Sequence, residues 1–463
     1  MKTILYKILI LVIIAFSIGL LGTHAGMSEK QALSITIFSA SIIGTLFFWD
    51  FRLSFAFIGT SVLLMTKTID LERVLEFSSL EVILFLVGMM VIMGLLKDSG
   101  FFAWIVGLIL RIPNLTATKF VVFISLISMF MASTVDEVTS IIFIVAAVIE
   151  ICDYFEVNPV PFLIISVLAT NVGSAATVLG NPIGILIASK SGLTFEDFLV
   201  KAFPLAFACL IAVIAVCLLW YRKTIKHLDK NMKEFGANEI LTRLIAVPPE
   251  RQLRISLGIF MVMLVFLSLH RRIELALALE PNTILLVVPL VTSGIVMIWK
   301  WNKARKFIEK DVEWWTLLFF LLLFVQAGTL KYTGTTIFLA EKIVGLTGNN
   351  PKLLVSAMLW VSAIGSSVLD NVVLVAAFIP VVQGFAALNV NLEPLWWALL
   401  FGGCLGGNIT LIGSTANIVA VGILEKEENI KLTFFRWFWV GLTVGIVTTS
   451  IVWLALLFIP YYR

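Results

Sequence analysis

Residues Met131–Thr139 read MASTVDEVT and set Asp136 and Glu137 side by side between two apolar runs, VVFISLISMF from Val121 and SIIFIVAAVI from Ser140. Carboxylates inside a bilayer are costly, and those that occur usually face a protein interior or a water-filled path. Two adjacent ones, with Ser133, Thr134 and Thr139 around them, read as an ion or proton site. The rival reading is a plain loop between two spanning helices. Neighbouring carboxylates in a low-dielectric site disfavour double ionisation, so the pair reads as a proton or sodium carrier. Against this stands a Glu137 that is merely solvated in a vestibule.

The chain around this stretch has 463 residues, 60% of them hydrophobic and 13% charged. Soluble chains carry about 25% charged residues, so this is the composition of a polytopic membrane protein. The apolar runs lack the alternation of a barrel, and backbone groups in lipid must be satisfied internally, so the fold class is all-α. A net charge of +4 bears on orientation in the bilayer rather than on a nucleic-acid partner. Cys152, Cys209, Cys217 and Cys404 form no CxxC pair and the three histidines are scattered, so neither a disulfide framework nor a zinc site is expected. No Walker A pattern and no soluble domain for ATP hydrolysis is present. Uphill transport would draw on an ion gradient or on an external ATPase partner.

Residues 1–30 read as an N-terminal span or signal-anchor, with Thr23-His24-Ala25 as a passable cleavage site. Candidate spans follow at about 31–49, 53–66 and 80–96, and a short interfacial segment at 101–112. The segment 118–155 is broken at the acidic pair, and 161–189 is interrupted by NVGSAATVLGNP. After a span at 203–221 comes a basic linker, 222–254, in which Pro248-Pro249 argues against one continuous helix. Two more spans, 255–269 and 282–299, lead to a second basic loop at 300–310. Positive-inside counting puts both basic loops in the cytoplasm. The walk outward closes only if 118–155 enters and leaves on one face, as a re-entrant hairpin or as two spans.

The chain also repeats itself. Gly94-Leu95-Leu96-Lys97-Asp98-Ser99-Gly100 matches Gly328-Thr329-Leu330-Lys331-Tyr332-Thr333-Gly334, an offset of 328 − 94 = 234. The same offset carries Ser133 to Ser367, Asp136 to Asp370 and Val138 to Val372; one residue of slip then takes Thr177 and Gly180 to Thr410 and Gly413. The first copy, 31–221, holds the hairpin 118–155 and the broken helix 161–189. The second, 255–463, holds a hairpin at 353–389 and a broken helix at 395–425. The topology walk sets Lys97 and Lys331 on opposite faces, so the copies read as inverted-topology repeats, a secondary-transporter pattern.

Glycines in the breaks let the backbone open towards a ligand, and Pro182 suits the first turn of a restarted half-helix. Freed carbonyls and side-chain oxygens there coordinate small cations. The candidate ion- and substrate-binding residues are therefore Ser133, Thr134, Asp136, Glu137, Asn171, Gly173, Ser174, Thr177 and Asn181 in the first copy. In the second they are Ser367, Asp370, Asn371, Asn408, Thr410, Gly413, Ser414 and Asn417. The rival reading of each small polar residue is helix packing. Cys404, near the second break, reads as packing and is left outside the site.

Asn171–Pro182 with IGILIASKSGLTFEDFL, and WWALLFGGCLGGNITLIGSTANIVAVGI from Trp396, resemble the ion transporter superfamily. The likeness is to the branch of arsenite permeases, NhaD-type Na⁺/H⁺ antiporters and the melanosomal P protein, which includes the citrate-transporter-like domain. It covers about residue 80 to the C-terminus. It implies about eleven transmembrane helices plus two re-entrant hairpins, a scaffold and a moving transport domain, and a homodimer in the plasma membrane. Members resembling this chain carry Asp-Asn at each tip and G-D-P-P-N in the first break. Here the second tip keeps Asp370-Asn371, the first has Asp136-Glu137, and the break reads Gly180-Asn181-Pro182-Ile183-Gly184.

The reading is a secondary active transporter of a small inorganic ion or solute, by arsenite/antimonite-type efflux or Na⁺/H⁺-type antiport. Bound Na⁺ or H⁺ is the coupling ion, no other cofactor is expected, and an arsenite-stimulated-type ATPase is a conceivable partner. A sodium-coupled di- or tricarboxylate symporter of the citrate type is the alternative, and an anion channel a more distant one. An intramembrane enzyme would need an asymmetric catalytic set, for which the sequence offers no motif.

Overall fold

The computed structural model describes residues 2–48, 51–101, 104–105, 107, 115–234, 251–347, 350–388 and 390–462. Most of the segment 101–112, and Pro248-Pro249 with the rest of 235–250, lie outside them. Among the described residues all regular structure is helical. Nine helices among the described residues are long and apolar enough to cross a membrane, and four shorter apolar ones accompany them, Arg52–Met65, Val160–Ser174, Thr283–Trp299 and Pro351–Ser366. The chain is an all-α, multi-pass membrane protein.

Local chemistry sets the helix ends around the acidic stretch. Ala117–Thr134 and Glu137–Tyr154 are separated only by Val135 and Asp136, and the Asp136 carboxylate accepts from the Val138 and Thr139 amides at 2.8 and 2.9 Å. An ionised N-cap meets the unpaired amides and the positive end of the helix at once. In the second half Pro351–Ser366 and Asn371–Gly384 meet in the same way, with Asp370 as the cap at 3.1 Å from the Val372 amide. The two broken helices also share one design. Val160–Ser174 and Glu393–Gly406 each carry a proline in their first turn, where its missing N–H costs nothing. Each stops at an irregular stretch and restarts under a polar cap, Asn181 before Pro182–Ser191 and Ser414 before Thr415–Glu428.

Packing crosses the halves. The hairpin limb Glu137–Tyr154 lies along Thr415–Glu428 of the second break, and Asn371–Gly384 lies along Pro182–Ser191 of the first. The first limb of each hairpin packs on the broken helix of its own half. The helices around this unit include Trp314–Tyr332, against Arg52–Met65 and Asn371–Gly384, and Leu80–Asp98, against Thr283–Trp299.

Among the described residues, helices to which the sequence reading assigns no bounds include Leu71–Phe77, His270–Leu277 and Thr335–Thr347. The first two are too short for a 20-residue apolar window to detect; Asp70 starts Leu71–Phe77 by accepting from the Arg73 amide at 2.8 Å. The start of the basic linker is a helix as well, Arg222–Glu234, docked through Ile225, Leu228, Asn231 and Met232 rather than freely solvated.

Candidate ion and solute site

The two hairpin tips touch. Asn371 Nδ2 donates to Glu137 Oε1 at 3.2 Å and lies 3.4 Å from Oε2, and the two residues are 234 apart in the chain. They are therefore the two residues that the repeat offset equates, meeting each other. Glu137 is 2% exposed, so it is not a solvated vestibule residue. Ser174 and Asn181 of the first break also interact with its carboxylate. Asn181 Nδ2 in turn donates to the Cys404 sulfur at 3.4 Å, which brings that buried thiol to the edge of the site.

Asp136 and Glu137 are adjacent in the chain, yet their carboxylates bond different partners. Asp136 turns back to cap its own helix, while Glu137 points across the junction and senses the charge of Asp370. Asp136 is the extended cap and Glu137 the first residue of the helix. Asp370 caps its helix with Oδ1 and accepts from the Thr415 hydroxyl with Oδ2 at 2.7 Å.

The breaks are pinned by matching contacts. The Thr177 hydroxyl donates to the Ser133 carbonyl and the Thr410 hydroxyl to the Ser367 carbonyl, so each break grips the tip of its own half. Thr177 Oγ1 then accepts from Leu179 N at 3.1 Å, and Thr410 Oγ1 from Ile412 N at 3.3 Å. Gly173 lies against the Met129 carbonyl and Gly406 against that of Ala363, approaches that a Cβ would block. Gly413 packs in the same close way on Gly407 and Ser366.

Across the centre, Asn171 Nδ2 donates to Asn408 Oδ1 and Asn417 Oδ1, both at 2.9 Å. Asn417 Nδ2 reaches the Gly407 and Thr410 carbonyls at 2.7 and 2.8 Å, and the Asn408 carbonyl accepts from Trp437 Nε1 at 3.0 Å. These asparagines brace the two broken helices to each other. The predicted residues thus divide. Glu137, Asn371, Asn181, Ser174 and Asp370 gather at the tip junction, with Asp136 at its rim. Ser133, Thr134 and Ser367 turn their hydroxyls back to carbonyls of their own helices, while Ser414 accepts from the Ala416 amide.

A cavity of about 380 Å³ opens beside the junction. Asp136, Glu137, Asn181, Asp370 and Thr415 line one side; Arg52, Lys97, Lys310 and Glu313 contribute from other helices, with Met89, Met90 and Met93 as an apolar wall. Arg52 Nη2 donates to Thr316 Oγ1 at 3.1 Å, its guanidinium sits 5.6 Å from the centre of the Phe319 ring, and it shares the cavity wall with Asp370 and Glu313. Sequence reasoning misses Arg52, because a lone arginine opening an apolar helix reads only as a topology flank.

Residues 52–402 match the family described as citrate transporter. The chain belongs to the citrate transporter family. This family member is 31% identical over 376 residues to an uncharacterized transporter of Mycobacterium tuberculosis, covering 80% of this chain and 84% of the relative. It is 26% identical over 514 residues to the P protein of Homo sapiens, covering 94% of this chain and 61% of that protein. In fold it is similar to the YdaH transporter of Alcanivorax borkumensis, with a TM-score of 0.56 at 14% identity over 85% of this chain and 87% of that one. The mycobacterial relative is named a transporter, and the family places this chain in a membrane as a transporter of a small solute or ion.

Proposed function

We propose that this citrate transporter family member is a secondary active transporter that moves a small inorganic ion or solute, coupled to protons or sodium, with Glu137 as the coupling group. The observation that carries the reading is the Glu137–Asn371 contact at the buried junction of the two tips, open on one side to the cavity. Asn371 offers amide hydrogens but no positive charge. The carboxylate is held in place without an ion-pair partner among the described residues, and a bound H⁺ or Na⁺ is what would neutralise it. A neutralised site can be carried through the bilayer at far lower cost than a charged one. Movement of the tips and breaks as one elevator-like unit against the remaining helices, in inverted repeats and within a homodimer, completes the proposal. The basic segments 222–254 and 300–310 would face the cytoplasm from the plasma membrane.

A second reading, cation-coupled symport of a di- or tricarboxylate, is favoured by Arg52 on the cavity wall and by the family's description. Reconstituted protein offered arsenite, sodium and citrate in turn, under imposed pH or sodium gradients, separates the two. Citrate uptake with no movement of arsenite or sodium overturns the first. In the same vesicles Glu137→Gln is expected to abolish the dependence on the driving ion while leaving the protein folded. If proton or sodium dependence survives intact, Glu137 is not the coupling group.

A further inference from the structure

The helix Arg222–Glu234, just beyond the span that ends at Trp220, ties together both feet of the first hairpin. Asp229 Oδ1 accepts from the Ala117 amide at 3.3 Å, where the hairpin begins. Asn231 Nδ2 donates to the Phe155 carbonyl at 2.7 Å, where it ends. Asn231 is 9% exposed, and Ile225, Leu228 and Met232 are buried beside it. The opposite side of this helix is exposed and carries Arg222, Lys223, Lys226, His227 and Lys230. Lys230 and Lys233 have acidic partners on their own helix, Glu234 and Asp229. No ion pair is made by Arg222, Lys223 or Lys226 among the described residues.

We propose that this outer face docks on anionic phospholipid headgroups, and that the docking clamps the feet of the first hairpin through Asp229 and Asn231. Position and charge together carry the choice of partner. Trp220, half exposed at 49%, and Tyr221 are residues of the membrane–water boundary, and the helix begins directly after them. A helix with one buried apolar stripe and a basic outer face at that level lies in the headgroup layer, where phosphates supply the missing counter-charge. Because the same helix holds residues 117 and 155, a lipid that fixes it also fixes where the hairpin starts and finishes. The inference stands independently of which solute the protein carries.

The test uses the full chain purified in detergent and in lipid nanodiscs. Lys223→Gln with Lys226→Gln removes two outward charges and leaves the buried face intact. Binding of phosphatidylglycerol, read by native mass spectrometry, is expected to weaken about 25-fold, roughly fivefold for each lysine. Binding of phosphatidylcholine is expected to stay unchanged. In nanodiscs, hydrogen exchange of the amides at 117–120 and 152–155 is expected to slow in phosphatidylglycerol relative to phosphatidylcholine for the parent protein and not for the variant. Equal binding of the two lipids, an unaltered phosphatidylglycerol affinity in the variant, or the same protection from inorganic phosphate alone would each overturn the lipid assignment. Lipid binding without any change in exchange at the hairpin feet overturns the clamp.

Discussion

Asn171 directs both hydrogens of its amide to the other half of the chain, to Asn408 and Asn417, while its Oδ1 is buried without a hydrogen-bond partner among the described residues. Replacing it by alanine strands two buried acceptors. The expected loss is about 2 kcal/mol of stability, taking roughly 1 kcal/mol for each buried bond. Asn171→Asp is expected to be worse, because it sets a buried negative charge against two carbonyl oxygens. Unfolding midpoints of the detergent-purified variants check both the loss and the order. The sequence reads Asn171, Asn408 and Asn417 as ligand candidates, and in the structure their side chains bond one another. Residue type alone does not say whether an amide faces a solute or another amide, because that depends on a partner more than 230 positions away. Glu137 shows the opposite case. Its position in a charged tip was legible, and only the fold could show that its partner is Asn371 rather than Asp136.

At the scale of the element, the two broken helices are held against their hairpins by glycine. Gly406→Ala drives a methyl group into the backbone of Ala363, for which no side-chain rotation compensates. A destabilisation of about 1–3 kcal/mol is expected, with loss of transport. Gly422→Ala is the control, since its Cβ meets open space within the helix Thr415–Glu428 and is expected to be neutral or to stabilise by about 0.5–1 kcal/mol. Thermal unfolding of the pair, measured together, separates close packing from general sensitivity to a larger side chain. The sequence reads the breaks as Gly-rich stretches with a restart at Pro182, while the restart under Ser414 is seen in the structure. The short helix Leu71–Phe77 and the docked helix Arg222–Glu234 were not. Each depends on a cap or a buried contact, and neither has the long apolar window that marks a span.

Across the whole molecule, the ion pair Glu81–Lys190, at 3.1 Å, joins the end of the first restarted half-helix to Leu80–Asp98. If the tips and breaks move against that helix, a link here stops the cycle. Glu81→Cys with Lys190→Cys, bridged by a short bifunctional maleimide, is expected to block transport in proteoliposomes, with activity retained before bridging. Full activity after complete bridging would mean that these two elements travel together. The repeat in the sequence carries the expectation of a hairpin and a break in each half. It gave no hint that each half-helix would lie along the hairpin limb of the other half, because an offset between positions carries no information about exchange between copies.

The bonds between the halves have a consequence for how the protein is made. Glu137 and Asn171 find Asn371, Asn408 and Asn417 only 234 to 246 residues further along the chain. At about 5–20 residues per second of synthesis, the first half waits roughly 10–50 s in the membrane before those partners emerge. During that interval its central carboxylate lacks Asn371 and its central amide lacks both of its acceptors. A nascent chain in this condition is what membrane quality control removes. Substitutions at Asn371, Asn408 or Asn417 are therefore felt first as a shortage of finished protein, ahead of any change in what the survivors carry.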